Sequence, residues 1–118
     1  MPHTQTVTVK LPTRFYDDHA DRGLPAGDLV KRTKRYVVVE LDAAAYGELI
    51  SDAEHYADRS QFDQRDPFLR GLCTSAKATV CCLRAIETPW TREEASLAAE
   101  GAELARIAHA ERLEAKGV

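Results

Sequence analysis

The run Tyr36-Val37-Val38-Val39-Glu40-Leu41 passes without a break into Asp42 and an apolar pattern of a different period, and this switch constrains the chain more than any other feature. Branched and aromatic side chains lose little freedom on a pleated surface, so the run reads as a strand. Val37, Val39 and Leu41 take its core side, and Tyr36, Val38 and Glu40 the other. From Asp42, which suits an N-cap, Tyr46, Leu49, Ile50, Ala53 and Ala57 recur at helical spacing. Glu48, Ser51, Asp52, Glu54 and His55 fall outside that stripe. A strand that hands over directly to an amphipathic helix implies a sheet backed by helices.

Upstream, Val7, Val9 and Leu11 alternate with Thr6, Thr8 and Lys10, giving a second strand that Pro12 ends. Arg14 to Arg22 can make two helical turns with Phe15 and His19 one turn apart; Gly23 supplies a left-handed stop and Pro25 prevents continuation. Leu29 to Leu41 either runs extended throughout or folds back as a hairpin at Arg32-Thr33-Lys34. Downstream, Arg59 to Arg65 carries no apolar period and reads as a loop. Asp66-Pro67 restarts a helix, Asp as cap and Pro where its missing N–H costs nothing, with Leu69, Leu72, Ala76, Val80 and Leu83 as the buried edge.

Thr88-Pro89-Trp90 breaks the chain again, and Thr91-Arg92-Glu93-Glu94 reads as a capping box with Trp90 set to staple onto Ala95. The last helix, about Arg92 to Ala115, has few large apolar residues, chiefly Leu97, Leu104, Ile107 and Leu113. Ala98, Gly101, Ala105 and Ala108 allow close approach but bury little area each, so this helix either lies against the other two or pairs with a second copy.

A chain of 118 residues has room for one core. The expected architecture is α+β: residues 1–118 form a single domain, with a strand region over 1–41 and a helical region over 42–116. A small two- or three-stranded sheet packs against two or three helices. Hydrophobic content of 44% with 30% charged residues places the chain among globular proteins and away from disordered ones. No apolar run approaches the roughly 20 residues of a membrane span, and Met1 to Lys10 lacks the basic start and apolar centre of a signal peptide. The expectation is a cytoplasmic protein with no membrane role.

A net charge of −3 exerts no global pull on phosphate, so any nucleic-acid contact must come from a local patch. Lys31, Arg32, Lys34 and Arg35 form the one dense basic run, and Arg70, Lys77 and Arg84 recur every seventh residue along one side of the second long helix. These seven are the candidate nucleic-acid-binding residues. Cys73, Cys81 and Cys82, three in one helix without paired zinc spacing, are expected to be small buried thiols.

In element order, Arg35 to Arg84 resembles the ribbon-helix-helix DNA-binding proteins. That resemblance implies a dimer in which the strands of two subunits pair and enter the major groove, Tyr36, Val38 and Glu40 facing the bases, with the start of the second helix on a phosphate. The sequence departs from the pattern in the acidic Glu40, in the long connection from Asp58 to Asp66, and in Val7 to Leu11, a strand of the same chain able to cover the pairing edge. The phrases Arg14-Phe15-Tyr16-Asp17-Asp18-His19 and Lys34 to Asp42 also resemble those of short proteins of high-GC actinobacteria and their phages, which implies a small accessory protein and no particular activity.

Glu48, Asp52 and His55 share one helical face, a spacing that lets carboxylate and imidazole reach one metal ion; Asp52 and His55 are the candidate ligands, and Asp18 and His19 a second acid–imidazole pair. No serine stands in a nucleophile elbow, no glycine-rich loop precedes a helix, and no cysteine has a histidine partner by spacing. No catalytic residue and no cofactor is implied. The leading expectation is a non-catalytic binding or regulatory protein that acts through a protein–protein surface, as a homo-oligomer or with another protein. A ribbon-helix-helix-like DNA-binding regulator stands second, and a metal-dependent enzyme third.

Overall fold

The computed structural model describes residues 5–116 and shows an α+β fold: a three-stranded antiparallel sheet and four helices. In chain order these are β1 (Val7–Pro12), α1 (Thr13–Asp21), β2 (Asp28–Arg32), β3 (Tyr36–Leu41), α2 (Ala43–Ala57), α3 (Pro67–Ala85) and α4 (Arg92–Lys116), with a short 3-10 turn at Arg59–Gln61. The sheet order is β1-β3-β2, so β3 is central and antiparallel to both neighbours. Val9, Leu11, Val37, Val39 and Leu41 meet Phe15, Leu49, Ile50, Leu72 and Leu83 in one core between the sheet and the helices. Among the described residues, no helix is long and apolar enough to cross a membrane.

Of the two forms open to residues 29–41, the hairpin is the one adopted. Its turn is Lys34-Arg35, and neither residue has a positive φ. The chain therefore does without the left-handed turn residues that two-residue hairpins favour. Thr33 closes the turn instead: its hydroxyl accepts from Tyr36 N at 3.1 Å, and its N–H donates to Tyr36 O at 2.8 Å. Gly27 leads into β2 at φ +66°, where any Cβ would stand 2.2 Å from Glu40 O. Only glycine fits that approach.

Val30 is an extra residue in β2. Leu29 pairs with Val39 and Lys31 with Val38, so a bulge lies between them. A bulge reverses the side to which every later residue points. Arg32, opposite Val37, therefore turns to the helical side and Lys31, opposite Val38, to the open side.

Helix α1 has no side-chain cap of its own. Its first N–H groups, unpaired in any helix, are satisfied from elsewhere in the fold: Thr13 N donates to Arg35 O at 3.2 Å, and Phe15 N to the Ser75 hydroxyl at 3.1 Å. The other helix starts follow their local sequence. Asp42 accepts from Ala45 N at 2.8 Å, Asp66 from Phe68 N at 2.9 Å with Pro67 at the first position, and Thr91 and Glu94 close a reciprocal box.

Helix α4 answers the either-or of its sequence in two halves. Its first turns lie on α2 with Ala95 and Ala99 buried, and the approach is so close that a Cβ on Gly47 would fall 2.2 Å from Ala95 O. From Glu100 through Glu114 every residue is exposed except the half-buried Ala102.

Candidate functional site

Residues with chemistry gather in two places on opposite sides of the sheet. On the helical side, His19 of α1 is fully buried. Its Nε2 lies 2.8 Å from Pro25 O and its Nδ1 2.7 Å from Asp52 Oδ2 of α2. A carbonyl and a carboxylate only accept, so this geometry is satisfied in full when both ring nitrogens carry hydrogen. Arg22 grips the same carboxylate with both terminal nitrogens, at 3.1 and 2.6 Å. It also donates from Nε to Asp18 at 3.0 Å and lies 5.0 Å above the Tyr56 ring. Burial alone would raise the Asp52 carboxyl, but the hydrogen bonds from His19 and Arg22 outweigh it and hold the group below the ordinary carboxylate range.

This cluster changes the reading of the candidate metal ligands. Asp52 is turned to His19 and Arg22, not to His55, because its position on α2 faces the end of α1. His55 is exposed, its ring edge-on to Tyr56 and Phe62 at 5.3 and 5.6 Å. Glu48 lines a separate groove between α2 and α4 with Glu100 and Glu103. Among the described residues, no three His, Cys, Asp or Glu side chains stand as a group able to hold a metal ion. Sequence spacing placed Asp52 beside His55; the pairing with His19, 33 residues away, carries no local signal.

The open face of the sheet is the second place. It carries Thr8 and Lys10 of β1, Tyr36, Val38 and Glu40 of β3, and Asp28 and Lys31 of β2. Lys10 and Lys31 stand opposite Val38 from its two sides. Lys10 Nζ is 3.9 Å from the centre of the Tyr36 ring and Lys31 Nζ 6.0 Å, both within cation–π range. Lys34 and Arg35 are exposed at the hairpin tip beside them. Lys10 was not among the residues singled out from the sequence, because only the register of β1 against β3 brings it there.

The seven candidate cations thus divide. Lys31, Lys34 and Arg35 share the sheet face and tip. Arg32 is held by both Asp17 oxygens at 2.9 and 2.6 Å, and Arg84 by Glu54 at 2.7 Å. Burial would raise the Glu54 carboxyl, yet its bonds to Arg84 and Arg92 bring it below the usual range. Arg70 and Lys77 are exposed on α3, in the helical layer. Lys77, Cys81 and Arg84 line a groove with Glu54, Asp58 and Arg59, but its carboxylates are already bonded: Glu54 to two arginines, Asp58 to Ser60 and Gln61. The thiols also divide. Cys73 is buried and Cys82 half-buried, its thiol pushed up chiefly by that burial, whereas Cys81 is exposed and corrects the expectation of three buried thiols.

The strand that a ribbon would need has no free edge: β3 is paired along its length by β1 and β2. Comparison with protein-family models, with curated proteins and with solved structures finds no match to this chain.

Proposed function

We propose that this protein is a small non-catalytic binding protein that works through a protein–protein surface on α4, and that its first partner is a second copy of itself. One observation carries the reading. Of the seven large apolar residues exposed among the described residues, four are on α4: Leu97, Leu104, Ile107 and Leu113. Leu97 and Leu104 are 62% and 65% exposed. Seven- and three-residue steps put Leu97, Leu104 and Ile107 on one side of the helix, the seam spacing of paired helices.

The stripe points away from Ala95 and Ala99, the residues that hold the helix to α2. Gly101 and Ala108 flank it and let a second helix come close. A helix of 25 residues is about 37 Å long, enough for two antiparallel copies to approach the roughly 1,200 Å2 of a stable interface. The buried or half-buried charged groups His19, Asp52 and Glu54 are engaged within the chain, which supports a role for surfaces over reactive groups.

Sedimentation equilibrium from micromolar to millimolar protein tests this reading. The expected result is a monomer–dimer equilibrium that Leu104→Glu moves to monomer while the circular dichroism spectrum stays unchanged. A chain that stays monomeric at the highest concentration refutes pairing through α4.

A further inference from the structure

The open sheet face meets α4 at its acidic end, where Asp28 and Glu40 share a groove with Ala102. Its cations are grouped and unpaired: Arg22, Arg32, Arg65, Arg84 and Arg92 each hold a carboxylate, whereas Lys10, Lys31, Lys34 and Arg35 hold none among the described residues and, unlike the equally unpaired Arg70 and Lys77 on α3, two of them flank an aromatic ring. In a chain of net charge −3, neighbouring cations that hold no carboxylate repel one another. They do provide a local field for an anion.

The face also has a flat aromatic surface at its hairpin end. The Tyr36 ring is half-exposed, with a lysine reaching toward it from each side. A nucleobase can replace the ammonium group over such a ring while the lysines move outward to the phosphates on either side. An acidic peptide would meet the cations but leave the ring without a stacking partner. A membrane would need apolar groups that project from this face, and Val38 is half-buried at its centre. A duplex groove would need a projecting strand or helix, and β3 is central in the sheet.

We propose that this face binds a short stretch of single-stranded nucleic acid, with a base stacked on Tyr36 and phosphates held by Lys10 and Lys31 and, at the hairpin tip, by Lys34 and Arg35. Asp28 and Glu40, opposite each other at the far end of the face, repel phosphate and confine the strand to the Tyr36 end.

Fluorescence anisotropy with labelled oligothymidylate and oligouridylate of about 12 nucleotides tests it. The log of the association constant should fall with log salt at a slope of about −2 to −3, as three or four released counterions require. The pair Lys10→Gln with Lys31→Gln should flatten that slope by about 1.4. Tyr36→Leu should weaken binding about tenfold with the slope kept, and Tyr36→Phe should restore it. Arg70→Gln with Lys77→Gln should change neither. No anisotropy change at the lowest salt overturns the proposal. So does competition by oligo-glutamate with equal strength and no effect of Tyr36→Leu, which would mean an acidic protein partner. Co-sedimentation with vesicles containing phosphatidylserine when the oligonucleotides do not bind, or a duplex bound as tightly as a single strand, would overturn it as well.

Discussion

Two tyrosines in this molecule each lie under a cation, and the pairs differ in everything around them. Arg22 above Tyr56 also holds Asp52 and Asp18, and Asp52 in turn meets the buried His19. Lys10 and Lys31 reach Tyr36 with no carboxylate attached. The first arrangement is closed: each charge is matched, and together they tie the end of α1 to α2. The second is open, with charge facing solvent. A basic residue is structural or available according to the face on which the backbone leaves it, not according to its type or its neighbours in sequence.

The closed cluster should fail hardest when a member is removed. Asp52→Ala leaves His19 buried with one partner and Arg22 with Asp18 alone, so chemical denaturation should show a loss of about 3 kcal/mol. A loss below about 0.5 kcal/mol, the range of an ordinary surface change, would break the distinction between the two sites.

Acid should sharpen the same contrast. The Asp52 carboxyl is held below its ordinary value in the folded protein, so its contribution is fully present above the unfolded value of 3.8 and is lost as pH falls through the lower folded value. Glu54 behaves in the same way from 4.5 downward. Stability measured against pH should therefore drop steeply below about pH 4, and in Asp52→Asn, already weaker at neutral pH, the drop should be shallower. An unchanged acid limb would assign the acid loss to other carboxylates.

The smallest effects belong to neighbours across the bulge. Lys31→Gln should leave the melting temperature unchanged, while Arg32→Gln, which loses the two bonds to Asp17, should lower it slightly. Equal effects would mean that the bulge does not sort these residues.

Much of the fold was legible along the chain because it is written locally. Asp42, Asp66 and the Thr91–Glu94 box mark three helix starts where their side chains bond the backbone, and the alternation in Val7 to Leu11 and Val37 to Leu41 places the core side of both strands. The short helix from Thr13 and the glycine stop at Gly23 were also visible. The two sites were not. His19 meets Asp52 across 33 residues, and Lys10 meets Tyr36 only because β1 pairs antiparallel with β3 in one register. Interactions between distant residues depend on packing, and packing has no local spacing to read.

Arg32 and Arg35 also looked alike in the basic run, yet one is neutralised on the helical side and the other stands free at the hairpin tip. Val30 decides this, as the one extra residue in β2. The bulge therefore lets this arm carry one residue more than the strand it pairs with, and every paired side chain still matches the face of its partner. Losing Val30 would remove the bulge and leave Lys31 opposite Val38 and Arg32 opposite Val37, each on the side it holds now, while Leu29 and Val39 kept their pairing. A slip that paired Val30 with Val38 would instead put Lys31 on the helical side and send Arg32 outward beside Tyr36, so this arm should tolerate a residue lost at the bulge and not a shift of register.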